Sequence, residues 1–257
     1  MAAIEYSPYE LMSIILARQF RDGDVGFAGG ATNEIPIAAC LLAQRMHAPN
    51  LTLMMPPGCV NPSPEALYYY GKDFRYTRGS DALMNFYEIF ELSENHKLSF
   101  FCYYGMEVDK FGNFNLHFIG DWEHPTVRGP GLTNISFSVT AERFYLYPVN
   151  HTRRHLVDRV SFISGVGNID GGDSRRKAGI TTRGPELCVT PLAVFDFEEK
   201  SGAMRLKSVH QWTTVDEVLA NTGFKPIIEG EVALTNPPSE DEMRILREID
   251  KYGLLRR

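Results

Sequence analysis

Leu51-Thr52-Leu53-Met54-Met55-Pro56-Pro57-Gly58 is an apolar run closed by a tight breaker. Leu51 to Met55 is too continuously apolar for a sheet wetted on one side, and it reads as a central strand covered on both faces, as in parallel sheets packed between helices. Sheets of that kind gather ligands at the carboxyl ends of their strands. Here that end is Pro56-Pro57-Gly58, which offers no acid, base or nucleophile.

Upstream, Ser7-Pro8-Tyr9-Glu10 is a capping box with Pro at the first helical position, and Leu11, Ile14, Ile15 and Leu16 supply an apolar face to about Phe20. Val25 to Ala28 reads as a short strand entering Gly29-Gly30-Ala31-Thr32-Asn33, with a second helix from about Glu34 to Met46. Glycines before a helix can offer backbone N–H groups to an anion, and they equally serve close packing of helix on sheet. Neither G-x-G-x-x-G nor G-K-[ST] is present, so no dinucleotide or nucleoside triphosphate site is supported.

Downstream, Asn61-Pro62-Ser63-Pro64 is a loop, followed by a strand near Phe74 to Thr77. A helix is expected from about Asp81 to Leu92, with Leu83, Phe86, Tyr87 and Phe90 at spacings of three and four, then a buried strand from Leu98 to Tyr103. Glu107 to Asn115 reads as a turn entering a strand, with Gly112 left-handed. Ile135 to Val139, Phe144 to Tyr147 and Val160 to Ser164 read as strands, and Leu192 to Glu198 with Met204 to His210 as a hairpin. Two more capping boxes, Thr214 with Glu217 and Ser239 with Glu242, open short helices, the second bearing Leu246 and Ile249 and ending near Gly253. No repeat or long linker interrupts the pattern. The expectation is one α/β domain over residues 1–257, an open and mostly parallel sheet flanked by helices.

A chain of 257 residues with 44% hydrophobic and 23% charged residues can build a substantial core. Its 26 Lys and Arg against 32 Asp and Glu, net −6, argue against a broad nucleic-acid footprint. Two local basic clusters, His151 to His155 and Asp173 to Lys177, read either as solvated segments or as seats for a phosphorylated ligand. The glycine-rich stretch Ser164 to Gly172 reads equally as a surface loop or as backbone brought close to a ligand. Cys40, Cys59, Cys102 and Cys188 form neither a C-x-x-C pair nor a disulfide framework, and only Cys59, just past the breaker, is placed to face a pocket. The seven histidines show no metal spacing; His117 and His124 are polar-site candidates or locally hydrogen-bonded. G-x-S-x-G is absent. No metal or separate cofactor is expected. The N-terminus lacks a signal-peptide pattern and no apolar run approaches about 18 residues, so a cytoplasmic protein without a membrane span is expected.

Taken in order, the opening capped helix, Gly29-Gly30, Asn61-Pro62-Ser63-Pro64-Glu65, Asp109 to Asn115 with Ile119-Gly120-Asp121 and His124-Pro125, Arg153-Arg154, Ile169 to Gly172, and Glu217 to Phe224 resemble the β subunit of the family I CoA-transferases. The likeness is to the glutaconate CoA-transferase type, over nearly the whole length. It implies an open α/β sheet and an active site shared with an α subunit. It also implies a β-subunit glutamate at a strand end, in an E-S-G or E-N-G setting, that attacks the acyl-CoA thioester. The matching triplet here is Pro56-Pro57-Gly58, and proline carries no nucleophile.

That departure resembles the β subunit of the actinobacterial cholesterol ring-cleaving hydrolases, within the same superfamily. The resemblance implies hydrolytic opening of a cyclic β-oxo acyl-CoA ring, with the catalytic glutamate on the α subunit, in an α2β2 heterotetramer. CoA enters as part of the substrate. On this reading no residue of this chain is catalytic, and Gly29, Gly30, Pro56, Pro57, Gly58, Tyr103 and Tyr104 are the substrate-binding candidates. The glycine turn is expected to offer backbone donors, the Pro-Pro-Gly turn to leave room for water and ring, and the tyrosines either to line the acyl pocket or to pack in a core or interface. A transferase in which Glu65 supplies the carboxylate, and a subunit that only stabilises its partner, are the alternatives.

Overall fold

The computed structural model describes residues 5–28, 34–56, 58–131 and 134–257. Gly29, Gly30 and Pro57 lie outside the described residues. In chain order the elements are α1 (Pro8–Ala17), β1 (Val25–Ala28), α2 (Glu34–Met46), β2 (Thr52–Met55), β3 (Cys59–Val60), β4 (Ala82–Leu83), α3 (Phe86–Glu94), β5 (Phe100–Tyr103), β6 (Glu107–Asp109), β7 (Phe114–Asn115), β8 (Phe118–Gly120), β9 (Pro125–Arg128), α4 (Phe137–Thr140), β10 (Arg143–Leu146), β11 (Leu156–Val157), α5 (Ser174–Lys177), β12 (Gly184–Val189), β13 (Ala193–Phe197), β14 (Met204–Val209), α6 (Val215–Asn221), β15 (Ala233–Leu234) and α7 (Glu240–Ile249). The class is α/β, built on mixed, mostly parallel strands. Packing groups the chain into two compact units, residues 1–102 with 236–257, and residues 103–235.

In the first unit the strand order is β5-β1-β2-β3-β4. Strand β1 is parallel to both β2 and β5, with Phe27 opposite Met54 and Ala28 opposite Cys102. Gly26 makes this possible, because a Cβ there would stand 2.1 Å from the Phe100 ring. That ring stacks on Phe20 at 4.2 Å. Helices α1, α2 and α7 pack against one another, and both expected capping boxes, Ser7 with Glu10 and Ser239 with Glu242, close as the sequence pattern requires. Each cap satisfies N–H groups that have no partner within the helix.

Two expectations fail in this unit. Residues 74–77 form a 3-10 turn, not a strand, because the Asp73 carboxylate accepts from the Arg75 N–H and fixes the turn. The expected helix from Asp81 begins only at Phe86. Ala82 and Leu83 pair with β3 instead, and Asn85 with Glu88 makes a capping box that the apolar spacing obscured.

In the second unit the order is β15-β14-β13-β12-β10. The β13–β14 hairpin forms as expected. Gly112 is left-handed, φ +71°, at the tip of the β6–β7 hairpin. Residues 135–139 are not a strand: Ser138 and Thr140 hydroxyls donate one turn back to Ile135 and Ser136 carbonyls, and Phe137 is buried on the short helix α4. Residues 160–164 are not a strand either. Glu107 accepts from both the N–H and the hydroxyl of Ser161, so side chains take bonds that a ladder would use.

His151 and His210 are buried in this unit. His151 sits between the hydroxyls of Thr190 and Thr222, and His210 between the Thr235 hydroxyl and the Thr190 carbonyl. Burial pushes both rings down to about 4 from 6.5. Between those values an unfolded chain binds protons that the native rings refuse, so stability is expected to fall as pH drops from 6.5 to 4, by roughly 3 kcal/mol per ring at most. Urea melts across that window, compared with His210→Gln, check this: the variant should show the shallower slope.

Candidate active site

The register of β2, β1 and β5 brings Met55, Ala28 and Cys102 abreast, so three parallel strands end together. Beyond Met55 the chain turns at once: the Gly58 N–H donates to the Met55 carbonyl at 2.8 Å, and β3 returns antiparallel with Cys59 opposite Met55. Pro56 therefore sits in a hairpin turn, where its fixed φ suits the second position. Pro56 and Gly58 are both buried.

Gly58 is required twice over. Its φ is +99°, and a Cβ would lie 1.9 Å from the Met84 carbonyl oxygen. Met84 in turn donates its N–H to the Gly58 carbonyl. The space that the sequence suggested for water and ring at Gly58 is thus filled by the backbone leading into α3. Gly58→Ala is expected to cost about 2–4 kcal/mol of stability, measured by denaturant unfolding.

No carboxylate stands on Met55, Pro56, Gly58, Cys59, Ala28 or Cys102, the described residues at these strand ends. Glu34, the first residue of α2, is buried but ion-paired to Arg257, whose guanidinium also lies over the rings of Tyr9 and Tyr69. Glu65 belongs to the other end of the sheet. Strand β3 runs back from the turn until Asn61 bonds Leu53, and Glu65 lines a cleft of about 560 Å³ with Gln44 and Arg45 of the last turn of α2. A 13-residue helix is about 20 Å long. Its carboxyl end lies far from the end that follows β1.

Cys59 is a buried thiol within reach of the Met55 carbonyl, and burial pushes it up to about 11. That disfavours the thiolate a nucleophile needs. Native protein at pH 8 is expected to leave Cys59 unmodified by a thiol reagent until it is unfolded, as counted by mass spectrometry.

In the second unit Tyr103 is a core residue. Its hydroxyl donates to the Asn134 carbonyl at 2.6 Å, its ring packs on Phe114 and Phe144, and burial holds its phenol well above the usual range. Tyr104 is half-buried, with its ring tilted against Tyr147. Sequence reasoning missed Asn134. It is buried in a left-handed conformation, φ +64°, and among the described residues its side-chain oxygen has no hydrogen-bond partner. The only signal in the sequence was the preceding Gly129-Pro130-Gly131.

The other sequence candidates resolve into structure. Arg175 is buried and donates to the carbonyls of Ser138, Val166, Gly167 and Thr182, while Arg176 and Lys177 pair with Asp173. Arg175 is thus committed to backbone carbonyls, while Arg176 and Lys177 remain exposed in surface pairs with one carboxylate. The Ser164–Gly172 loop is knitted inward: the Asn113 side chain accepts from Gly167 and Ile169, and a Cβ at Gly167 would strike Gly112. His117 is bonded through Nδ1 to the Ser164 hydroxyl. His124 stands exposed in an Asp121-capped turn. Among the described residues no cluster suits a metal ion, and no helix is long and apolar enough to cross a membrane.

The family model for coenzyme A transferase matches residues 9–221. The chain belongs to that family. It is 29% identical over 246 residues to the β subunit of the 3-oxoadipate CoA-transferase of Pseudomonas knackmussii, covering 95% of this chain and 94% of that one. It is 26% identical over 253 residues to the β subunit of the glutaconate CoA-transferase of Acidaminococcus fermentans, covering 95% and 93%. The IpdB subunit of the cholesterol ring-cleaving hydrolase of Rhodococcus jostii is 29% identical over 145 residues, 56% of each chain. Three solved structures share the fold over 98% of both chains: glutaconate CoA-transferase of A. fermentans (TM-score 0.88, 24% identity), the decarboxylase AibA/AibB (0.85, 24%) and IpdAB of R. jostii RHA1 (0.81, 23%).

Proposed function

We propose that this CoA-transferase family member is the β subunit of a heteromeric hydrolase that opens a cyclic β-oxo acyl-CoA ring, as in late steroid degradation. The observation that carries the reading is Pro56, in the turn at the end of β2 and flanked by strand ends that bear no carboxylate. Transfer through a covalent acyl-enzyme needs a nucleophile, and Glu65 lies toward the opposite end of α2. The likeness to IpdB, partial as it is, supports the hydrolytic branch of the family.

Hydrolysis needs less from this subunit. A base on the α subunit takes a proton from water, and the oxygen adds to the ring ketone. The bond between that carbon and the carbon α to the thioester breaks. Its electron pair is held as the thioester enolate, which then takes a proton, and the former ketone carbon leaves as a carboxylate. The requirement is a base and donors aimed at the developing oxyanions. On this reading the Gly29-Gly30 turn and the Pro56-Pro57-Gly58 turn frame the substrate. CoA is substrate, and no separate cofactor takes part.

The purified chain alone is expected to be inactive, and the complex with its α partner to release the ring-opened acid from the cyclic CoA ester. Hydroxylamine treatment of the acyl-CoA-loaded complex should yield no glutamyl adduct on this chain; an adduct would establish transfer instead. Pro56→Glu is expected to lower kcat/KM for ring opening about tenfold or more, roughly 1.4 kcal/mol in the barrier. Unchanged turnover in that variant would leave the chain a stabilising subunit only.

A further inference from the structure

Helix α3 is built like a buried helix and is not buried. Its first turn is closed by the Asn85–Glu88 capping box, and it carries Phe86, Tyr87 and Phe90 at helical spacing, yet it buries only Ile89 and Ser93. An amphipathic helix forms in water because its apolar stripe is covered. Here Phe86 and Tyr87 are exposed, Tyr87 to 83%.

The exposure is concentrated. Of the thirteen large hydrophobic side chains exposed among the described residues, six fall between positions 69 and 87: Tyr69, Tyr70, Phe74, Leu83, Phe86 and Tyr87. Their exposures run from 44% to 83%. At roughly 200 Å² for a whole aromatic side chain, the five aromatics alone leave about 650 Å² of ring surface open. A stable interface takes about 800 Å² from each partner and is enriched in aromatic residues and Arg. Arg75, Arg78 and Asp81 supply polar groups within the same stretch, and Glu88 just beyond it.

The segment is also held in shape by its own bonds. Buried Tyr76 donates to the Tyr68 carbonyl and accepts from the Tyr68 N–H, Asp73 fixes the 3-10 turn, and Asn61 bonds Asp81. Leu83 lies on β4, the edge strand. The next residue, Met84, is hydrogen-bonded to Gly58 in the Pro56 turn.

We infer that the aromatic face of residues 69–87, centred on Phe74, Leu83, Phe86 and Tyr87, is the docking surface for the α subunit. The open aromatic surface supplies most of what one side of a stable heteromeric contact takes. The Met84–Gly58 bond ties the face directly to the turn at the strand ends, so an α subunit seated on it brings its own residues to that turn. The assignment rests on the heteromeric reading above and names where that partner binds.

The test is assembly, scored without substrate. Phe74→Lys with Tyr87→Lys, co-expressed with the α subunit, is expected to weaken the complex by roughly a hundredfold, as removal of central interface aromatics does, read by native mass spectrometry and sedimentation. Both side chains are exposed, so the circular dichroism and melting of the variant alone should match wild type. Val127→Lys, an exposed apolar side chain on β9 and outside the segment, should leave the complex intact. A photo-crosslinking side chain at position 87 should capture the α subunit. An unaffected complex would overturn the assignment, as would crosslinking to a second copy of this chain, or an intact complex in which only the KM for the CoA ester rises. Loss of assembly by the double variant, in a wild-type complex that opens no ring, would uphold the surface while refuting the proposed reaction.

Discussion

At Gly26 the ring of Phe100 lies where any side chain would stand, and this close approach joins the centre of the first unit. It lets β1 pair in parallel with β5 while it pairs with β2 on its other edge. Three strand ends are thereby set level, and everything built at that end depends on it: the hairpin turn at Pro56, the return of β3, and the seating of Met84 against Gly58. Phe20 covers the same ring by stacking, so the loop after α1 is held by the constraint that aligns the strands.

Local hydrogen-bond chemistry made much of the fold legible in advance. Ser7, Thr214 and Ser239 each announce a helix start through a glutamate three residues on, and all three boxes close. Gly112 was readable because a hairpin tip there needs a left-handed residue. The errors share one cause, side chains that redirect the backbone. Asp73 winds residues 74–77 into a turn, Ser138 and Thr140 bond back along a helix, and Glu107 claims Ser161. Apolar alternation alone does not register such bonds.

The candidate site was legible in its missing chemistry and less so in its surroundings. Pro56 could be recognised as an inert residue at a strand end, but the filling of the space at Gly58 by Met84 depends on a contact 26 positions away in the sequence. The pairing of Glu34 with Arg257 spans a still longer separation. Tyr103 and Tyr104 are neighbours in sequence with different fates, one bonded to Asn134 in the core and the other half-buried. Periodicity does not separate them, because the division follows from what packs on each side of the strand.

The turn at Pro56 also bears on how such a site changes over time. Its shape is held by backbone groups, the Met55 carbonyl, the Gly58 N–H and the Met84 main chain, none of which consults the side chain at position 56. The scaffold and the reacting group are therefore separable. A lineage that keeps glycine at 58 can exchange the residue at 56, and with it one chemistry for another, as far as the buried surroundings of that position admit the new side chain.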